Sequence, residues 1–318
     1  MDGYLGLRES AAWMDVSGRG KIRALGEDRA RLLHAMTTND VQSLSAGEGC
    51  YAFFLNAQGR ILGDVNLFCR EDYFLLDTEP ETRSKLFEHI DRYIIADDVT
   101  LEDATGQLAT IAVEGPQASA VLDRLGGPVP EADFATQVWD NRMVARVDST
   151  GAGGFFIFLP TADKADLLAA LRGARIPEAT SQEARTVRIE HGRPRYGEEI
   201  SERYLVQETA QLHAVHFSKG CYLGQEIVER VRSRAQIHRV LRRLEIDLPE
   251  LAEGPAPLTG SKLKAGDAAA GEIASAAFSP ALGKVVALAY VRTAFAEPGT
   301  EIRLAGSEGS GDVRVLVV

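Results

Sequence analysis

The sequence of 318 residues predicts an α+β protein made of two tandem ferredoxin-like modules and a small C-terminal antiparallel β-barrel. Residues 20–95 and 109–171 share the order strand–helix–strand–strand–helix, with one further strand before the last helix of the first, which is the order expected of split βαβ units. After residue 243 the pattern changes to short β-type runs separated by glycine, which is typical of barrels and sandwiches. We therefore predict domains at residues 1–106, 107–243 and 244–318.

The elements of the first module follow from hydrophobic spacing and from turn residues. Leu32, Leu33 and Met36 share one face of a helix, and Leu86 and Ile90 form a stripe on another. A polar turn that contains Gly59 joins an aromatic run to a returning strand, which predicts a hairpin. The predicted order is a strand at 20–26, a helix at 27–36, strands at 51–55, 60–68 and 72–77, and a helix at 80–95.

The second module repeats this order, and glycine-separated runs follow it. Pro116 is placed at a helix start, where its missing N–H costs nothing. The predicted elements are a strand at 109–113, a helix at 115–125, hairpin strands at 143–147 and 155–159, and helices at 161–171 and 180–192. The segment 193–218 is predicted to be irregular. Barrel strands are predicted at 271–273, 285–291, 301–304 and 313–316, after a boundary near 244–256 where the segment 246–257 holds three prolines.

The net charge of −11 disfavours broad binding to nucleic acid or to a membrane surface. No apolar run reaches the roughly 20 residues of a membrane-spanning helix, and the N-terminus lacks the form of a signal or transit segment. We expect a cytoplasmic protein without direct nucleic-acid or membrane contacts. One region departs from the acidic average, since residues 219–243 hold seven basic residues and two acidic ones. It predicts either a solvated helix face or a patch for a small polyanion.

The cysteines and histidines exclude several kinds of site. Cys50, Cys69 and Cys221 are odd in number and far apart, which argues against a disulfide framework and a C-x-x-C metal site. Three thiolates also cannot supply all four ligands of an all-cysteine iron–sulfur cluster. Only His213 and His216 are closely spaced among the histidines, and no carboxylate nearby completes a metal triad. No metal site is predicted.

Residues 219–226 read Lys-Gly-Cys-Tyr-Leu-Gly-Gln-Glu and concentrate chemically active groups next to an amphipathic helical run. A glycine-containing loop or a first helical turn favours an anionic sulfur at Cys221, and Lys219 adds a positive charge in the same sense. Cys221 and Lys219 are therefore the candidate catalytic residues. The alternative is that Cys221 is a small buried apolar residue, which is the commoner state of a lone cysteine.

This octapeptide resembles the signature of the YgfZ-type folate-binding proteins. These are relatives of the glycine-cleavage T-protein, an aminomethyltransferase, and of mitochondrial iron–sulfur assembly factors. The resemblance extends over nearly the whole chain: residues 38–41 and 55–64 are similar to N-terminal blocks of T-protein, residues 113–116 to the block that opens the second module, and residues 188–192 to an R-x-E-x-G block.

The resemblance implies three domains in a ring around a central folate-sized cavity that binds tetrahydrofolate or a one-carbon or polyglutamylated derivative. It implies that Glu190 holds the pterin, where one carboxylate can accept two adjacent N–H bonds, and that Asp64 and Asn39 line the cavity. The further candidates for the folate site are Arg188, Tyr222 and Gln225. Without the resemblance, Glu190 is better interpreted as an exposed helix acid paired with a neighbouring arginine.

One departure from the T-protein pattern bears on function. T-protein relatives carry two adjacent acids where this chain has Gly63-Asp64, and aminomethyl transfer is tied to an aspartate there. Our first hypothesis is therefore a folate-binding protein that uses Cys221 to support iron–sulfur cluster assembly or repair, with iron–sulfur client or assembly proteins as partners. The resemblance associates this branch with tRNA-modifying clients. The alternatives are a folate-dependent one-carbon transferase and a folate-storage or scaffold protein.

Overall fold

The structure is a computed structural model that describes residues 1–234, 237–248, 258–305 and 314–318. Its strands form two five-stranded antiparallel sheets and a closed six-stranded antiparallel barrel. Helices pack on the sheets, so the predicted α+β class with a C-terminal barrel is confirmed. Within the described part of the chain, no helix has the length and apolar character needed to cross a membrane.

The first sheet has the strand order β3-β4-β5-β2-β6. Its elements are β2 (Gly20–Leu25), α2 (Arg29–Met36), β3 (Gly49–Leu55), β4 (Ile61–Cys69), β5 (Tyr73–Thr78), α3 (Arg83–Asp91) and β6 (Thr100–Asp103). Leu33 of α2 and Leu86 of α3 share one core with alternate residues of the strands, so both helices cover the same face of the sheet. The other face is directed at the second sheet, where the Phe68 and Phe158 rings lie 5.7 Å apart.

The second sheet has the order β1-β7-β10-β9-β8 and carries its helices on the outer face. Its elements are β1 (Ala12–Asp15), β7 (Leu108–Glu114), α4 (Ala118–Arg124), β8 (Thr136–Trp139), β9 (Arg142–Ala145), β10 (Gly154–Pro160) and α5 (Lys164–Gly173). Strand β1 flanks β7 as β6 flanks β2 in the first sheet, so the N-terminal strand supplies the edge of the second module. Neither β1 nor α1 (Asp2–Glu9), the helix before it, was predicted from the sequence. The domain boundary at residue 106 stays a prediction. The structure adds that β1, which comes from the first predicted domain, is an edge strand of the second sheet.

Helix α6 (Ser181–Glu190) lies between the two sheets and the barrel. It begins with a capping box in which Thr180 and Glu183 satisfy each other's backbone N–H groups. Ile189 shares a hydrophobic cluster with Leu288 of the barrel, and the Tyr290 hydroxyl of the barrel donates to the carbonyl of Glu199. These contacts fix α6 and the segment after it to the barrel.

The barrel follows α7 (Gln225–Arg234) and closes in the order β11-β14-β13-β12-β15-β16. Its strands are β11 (Arg239–Ile246), β12 (Lys262–Ala265), β13 (Ala268–Ser279), β14 (Lys284–Arg292), β15 (Glu301–Leu304) and β16 (Arg314–Val317). Strand β11 pairs with β14 over its whole length and so begins five residues before the predicted start of the domain at residue 244. Part of the predicted proline-marked boundary, at 249–257, and the predicted strand residue 313 lie outside the described residues.

Candidate functional site

A cavity of about 680 Å³ lies between the two sheets and is bounded by α6 and the segment that follows it. Its polar lining includes Tyr51, Asp64 and Asn66 of the first sheet and the loop at residues 148–150 of the second module. The described residues of the barrel contribute nothing to this lining. The two modules and α6 therefore form the walls, and the barrel supports α6 from behind.

Asp64 is the acid that β4 turns into the cavity. Its side chain is buried and accepts a 2.7 Å hydrogen bond from the Tyr51 hydroxyl of the adjacent strand. Burial, followed by the neighbouring charge of Glu79, raises the pKa of Asp64 to about 6, although the Tyr51 hydrogen bond acts in the opposite direction. A carboxyl group with this pKa can take up or release a proton near neutral pH.

Gly63 faces the opposite side of the same strand. A Cβ at this position would meet Leu86 Cδ1 at 3.0 Å and Thr82 Cβ at 3.1 Å, so the residue is directed at α3. Successive residues of a strand alternate between the two faces of a sheet, which places Gly63 in the helix-covered core and Asp64 in the cavity. The glycine that replaces one acid of the T-protein pair therefore removes no carboxylate from the cavity wall.

Four of the five arginines that line the cavity are held by carboxylates of the protein. Arg188 is buried and forms ion pairs at 2.8 Å with both Glu198 and Glu199. The other three pairings are Arg19 with Asp77 and Glu79, Arg185 with Glu198, and Arg195 with Glu79 and Glu81. Arg188 thus lines the cavity, but its guanidinium is used to fix the segment after α6.

Glu114 belongs to the block at residues 113–116, and it organises one wall of the cavity. It is fully buried at the end of β7, and its carboxylate accepts hydrogen bonds from the backbone and hydroxyl groups of Ser149 and Thr150. Burial and the charge of Asp148 raise the pKa of Glu114 to about 7. The loop that lines the cavity is therefore held in shape by one buried acid.

The structure does not place Glu190 in the cavity wall. Its two carboxylate oxygens accept from the Tyr4 hydroxyl, at 2.6 Å, and from the Arg8 guanidinium, both on α1. Among the described residues, the cavity lining includes Arg188 but not Glu190. The physical reason is the helical period, because residues two apart on a helix lie about 200° apart around its axis. That Glu190 holds a pterin therefore stays a prediction, and in this structure its carboxylate is bound by Tyr4 and Arg8.

Lys219 and Asn39 lie at the C-terminal end of α2, outside the cavity lining. The Lys219 ammonium donates to the carbonyls of His34, Thr37 and Asn39 at 2.5, 2.7 and 2.7 Å. The Asn39 side chain donates to the carbonyls of Tyr51 and His213. Burial lowers the pKa of Lys219 to about 8. Both side chains join the octapeptide segment to the first module, and Lys219 satisfies carbonyls that a helix end leaves open.

Cys221 is exposed, four residues before the start of α7, and is not among the lining residues of the cavity. Tyr222 is buried in a core between β3 and α7, with its ring 5.0 Å from the Lys219 ammonium. Gln225 is half-buried at the first position of α7. Of the six residues expected at the folate site, the structure thus brings Asp64 and Arg188 to the cavity and places Glu190, Asn39, Tyr222 and Gln225 elsewhere.

The basic stretch after the octapeptide is largely neutralised by the protein itself. Arg230 pairs with Glu226 and Arg239 with Glu208, at 2.5 and 2.7 Å. Arg232 lies over the ring of Phe217. This pattern favours a solvated helix face over a polyanion site. In the described residues, no group of three or more His, Cys, Asp or Glu side chains is arranged to hold a metal ion.

Comparisons with known proteins agree with this architecture. The family model described as GCVT N-terminal domain matches residues 3–219, and the glycine cleavage T-protein C-terminal barrel domain matches residues 239–316. The chain is similar to an aminomethyltransferase of Rubrobacter xylanophilus, with 30% identity over 296 residues that cover 90% of this chain and 77% of the relative. It is also similar to a putative chloroplastic transferase of Arabidopsis thaliana, with 26% identity over 79% of this chain and 60% of the relative.

Among solved structures, the chain is similar to the glycine cleavage system aminomethyltransferase T from Bartonella henselae. The TM-score is 0.88 and the identity 23%, over 99% of this chain and 87% of the other, which shows a common fold. The two family matches together span most of the sequence, and α7 lies in the stretch 220–238 between them. The chain therefore belongs to the glycine cleavage T-protein family.

Proposed function

We propose that this protein binds tetrahydrofolate in the cavity between its two modules and transfers a one-carbon unit to it from an aminomethyl donor. The observation that carries the proposal is the position of Asp64, a buried acid facing the cavity with a pKa of about 6. Its relatives named aminomethyltransferase support this reading. The folate would supply the nucleophilic nitrogens, and the protein would supply position and proton handling.

The cavity suits a ligand of this kind in size and in lining. Its volume of about 680 Å³ falls within the range of about 300–1,000 Å³ of small-molecule sites. Phe156 and Met14 provide apolar surface on the side of the second sheet, and Asn66 and Tyr51 provide polar groups on the side of the first. A flat ring with a polar edge matches such a site, because one wall is apolar and the other can form hydrogen bonds.

Asp64 would hold or accept a proton at an amine nitrogen of the bound ligand. Its pKa near neutral pH is suited to this exchange, and the Tyr51 hydroxyl holds the carboxylate in one orientation. Because Gly63 faces α3, a single acid is what this strand presents to the ligand. This favours the transferase alternative, because the acid missing at position 63 would not face the cavity.

The test compares wild type with Asp64→Asn, which keeps the shape of the side chain and still accepts from Tyr51. Calorimetric titration measures tetrahydrofolate binding, and formation of methylenetetrahydrofolate with release of ammonia measures transfer. We expect the variant to bind folate within about threefold of wild type and to lose at least about 100-fold in transfer rate. Gln182→Ala, a change of an uncharged lining residue, is the control. No folate binding by wild type would overturn the proposal, and full transfer by Asp64→Asn would remove Asp64 from it.

A second function is favoured by a separate observation, the exposure of Cys221 outside the cavity lining. An exposed thiol near an exposed loop can reach a partner protein while folate occupies the cavity, as support of iron–sulfur assembly or repair would require. The test is client iron–sulfur activity in cells that carry Cys221→Ser, with Ser218→Ala as the control in the same loop. Loss of client activity only with Cys221→Ser would support this role, and unchanged activity would exclude it.

A further inference from the structure

Arg193 differs from the other arginines that line the cavity. Its Nη2 donates one hydrogen bond, at 3.3 Å, to the carbonyl of Asp148, and no carboxylate of the described residues lies within ion-pair distance of it. Its remaining N–H groups have no acceptor among the described residues. The other four lining arginines each have one or two carboxylate partners.

Arg193 lines the same cavity as Tyr51, the residue whose hydroxyl donates to Asp64. Its charge acts to lower the pKa of the Tyr51 phenol and lowers the pKa of His213, whose ring stacks on Tyr51 at 5.4 Å, although burial is the larger influence on both. The cavity therefore combines the buried acid Asp64 with an arginine that has no carboxylate partner in the part of the chain that the structure describes.

An unpaired guanidinium in a partly closed site is unfavourable until an anion meets it, and its planar fork of donors fits a carboxylate with two parallel hydrogen bonds. We propose that Arg193 is the anion-binding residue of this cavity and receives a carboxylate of the substrate. The proposal rests on the proposed function and deepens it by naming the ligand group that Arg193 recognises. Two ligands offer that group: the glutamyl end of tetrahydrofolate, and an amino-acid-type amine donor.

The experiment separates these two sources with wild type, Arg193→Gln and Arg193→Lys, and with Arg230→Gln as a control that removes an exposed guanidinium elsewhere. The first arm titrates tetrahydrofolate and 6-methyltetrahydropterin, which has the reduced ring without a carboxylate, at low salt. The second arm titrates glycine and methylamine into protein saturated with tetrahydrofolate. Thermal unfolding of each variant establishes that it is folded.

In one arm, we expect Arg193→Gln to weaken binding of the carboxylate-bearing ligand by about 10- to 100-fold and to leave binding of the carboxylate-free ligand unchanged. Arg193→Lys should recover part of the lost affinity. Loss confined to tetrahydrofolate assigns the glutamyl group, and loss confined to glycine assigns the amine donor. Equal losses for both members of a pair, or no loss in either arm, would overturn the inference. Failure of wild type to bind tetrahydrofolate is a different result, because it removes the proposed function itself.

Discussion

The hydroxyl of Tyr4 donates a 2.6 Å hydrogen bond to Oε1 of Glu190 and so ties the first helix of the chain to α6. Arg8 completes the contact from the next turn of α1, and it is 28% exposed whereas the Glu190 side chain is 2% exposed. The carboxylate is thus used to hold the N-terminal helix in place. Since the cavity wall on α6 carries Arg188 instead, the two residues of the R-x-E pattern have separate tasks.

We predict that Glu190→Gln lowers the free energy of unfolding by about 2–3 kcal/mol, because one strong acceptor for Tyr4 and the counter-ion of Arg8 are lost together. Tetrahydrofolate affinity should stay within about threefold of wild type. Urea denaturation and calorimetric titration measure the two quantities. Tyr4→Phe is the matched change on the other side of the contact and should show a smaller loss of stability. Loss of folate binding in a stably folded Glu190→Gln would restore the pterin-binding role expected from the sequence.

Restoring the acid pair should harm the protein without improving catalysis. Gly63→Asp would place a carboxylate against Leu86 and Thr82 in the core under α3. We predict a loss of stability of about 3 kcal/mol or more, because an unpaired charge is forced into an apolar contact. Gly63→Ala, with the same backbone change and no charge, should lose clearly less. A stable Gly63→Asp variant with faster transfer would show that the missing acid does matter to the cavity.

The raised pKa of Asp64 makes a prediction about stability. Its pKa is about 6 in the folded protein and about 3.9 in an unfolded chain. The folded state therefore binds more protons between these values, so the contribution of Asp64 to stability is present at pH 4 and is lost as the pH rises through 6. The stability of Asp64→Asn relative to wild type should rise by about 2–3 kcal/mol between pH 4 and pH 7.

Denaturation series at several pH values measure this difference. Asp40→Asn is a control of opposite sign, since the hydrogen bonds from Ser43 outweigh burial and hold the pKa of Asp40 below its usual range. At the acidic end of the series, the stability of Asp40→Asn relative to wild type should therefore fall as the pH rises. A flat profile for Asp64→Asn would mean that Asp64 titrates normally, and the proton-handling role would lose its basis.

Local patterns in the sequence were sufficient for most elements, since hydrophobic spacing depends on neighbours along the chain. The strand alternation of Gly63 and Asp64, and the helical angle between Arg188 and Glu190, were also present in the sequence as geometry. The sequence does not show which residues from distant parts of the chain are in contact. The edge strand β1 pairs with β7 about 100 residues away. Among the described residues, Arg193 has no carboxylate partner, whereas the other arginines of the cavity lining each have one or two.

The octapeptide shows the same limit in a single segment. Its lysine suggested activation of the adjacent thiol, because the two are close in sequence. In the structure the Lys219 ammonium is directed at three carbonyls at the end of α2. A charged side chain can be close to a thiol in sequence and still bind other groups. The tertiary packing of α2 against this loop determines which groups Lys219 binds.

We predict that Lys219→Met destabilises the protein by about 2–4 kcal/mol, since it leaves the carbonyls of His34, Thr37 and Asn39 without their donor in a buried position. Hydrogen exchange should show the loss of protection concentrated at the last turn of α2. Lys85→Met removes a more exposed lysine that pairs with Glu202 and is the matched control. If both variants are equally stable, the capping contact contributes little.

The three thiols should differ sharply in reactivity. Cys221 is exposed, whereas burial raises the pKa of Cys50 to about 12 and raises that of Cys69. We predict that a maleimide labels one thiol of the native chain and three after denaturation, as mass spectrometry would measure, and that native Cys221→Ser is not labelled on the same timescale. Because Lys219 faces the α2 carbonyls, the labelling rate of Cys221 in Lys219→Met should stay within about twofold of wild type. A large fall in that rate, in a variant shown to be folded, would instead establish that Lys219 activates the thiol as the sequence first suggested.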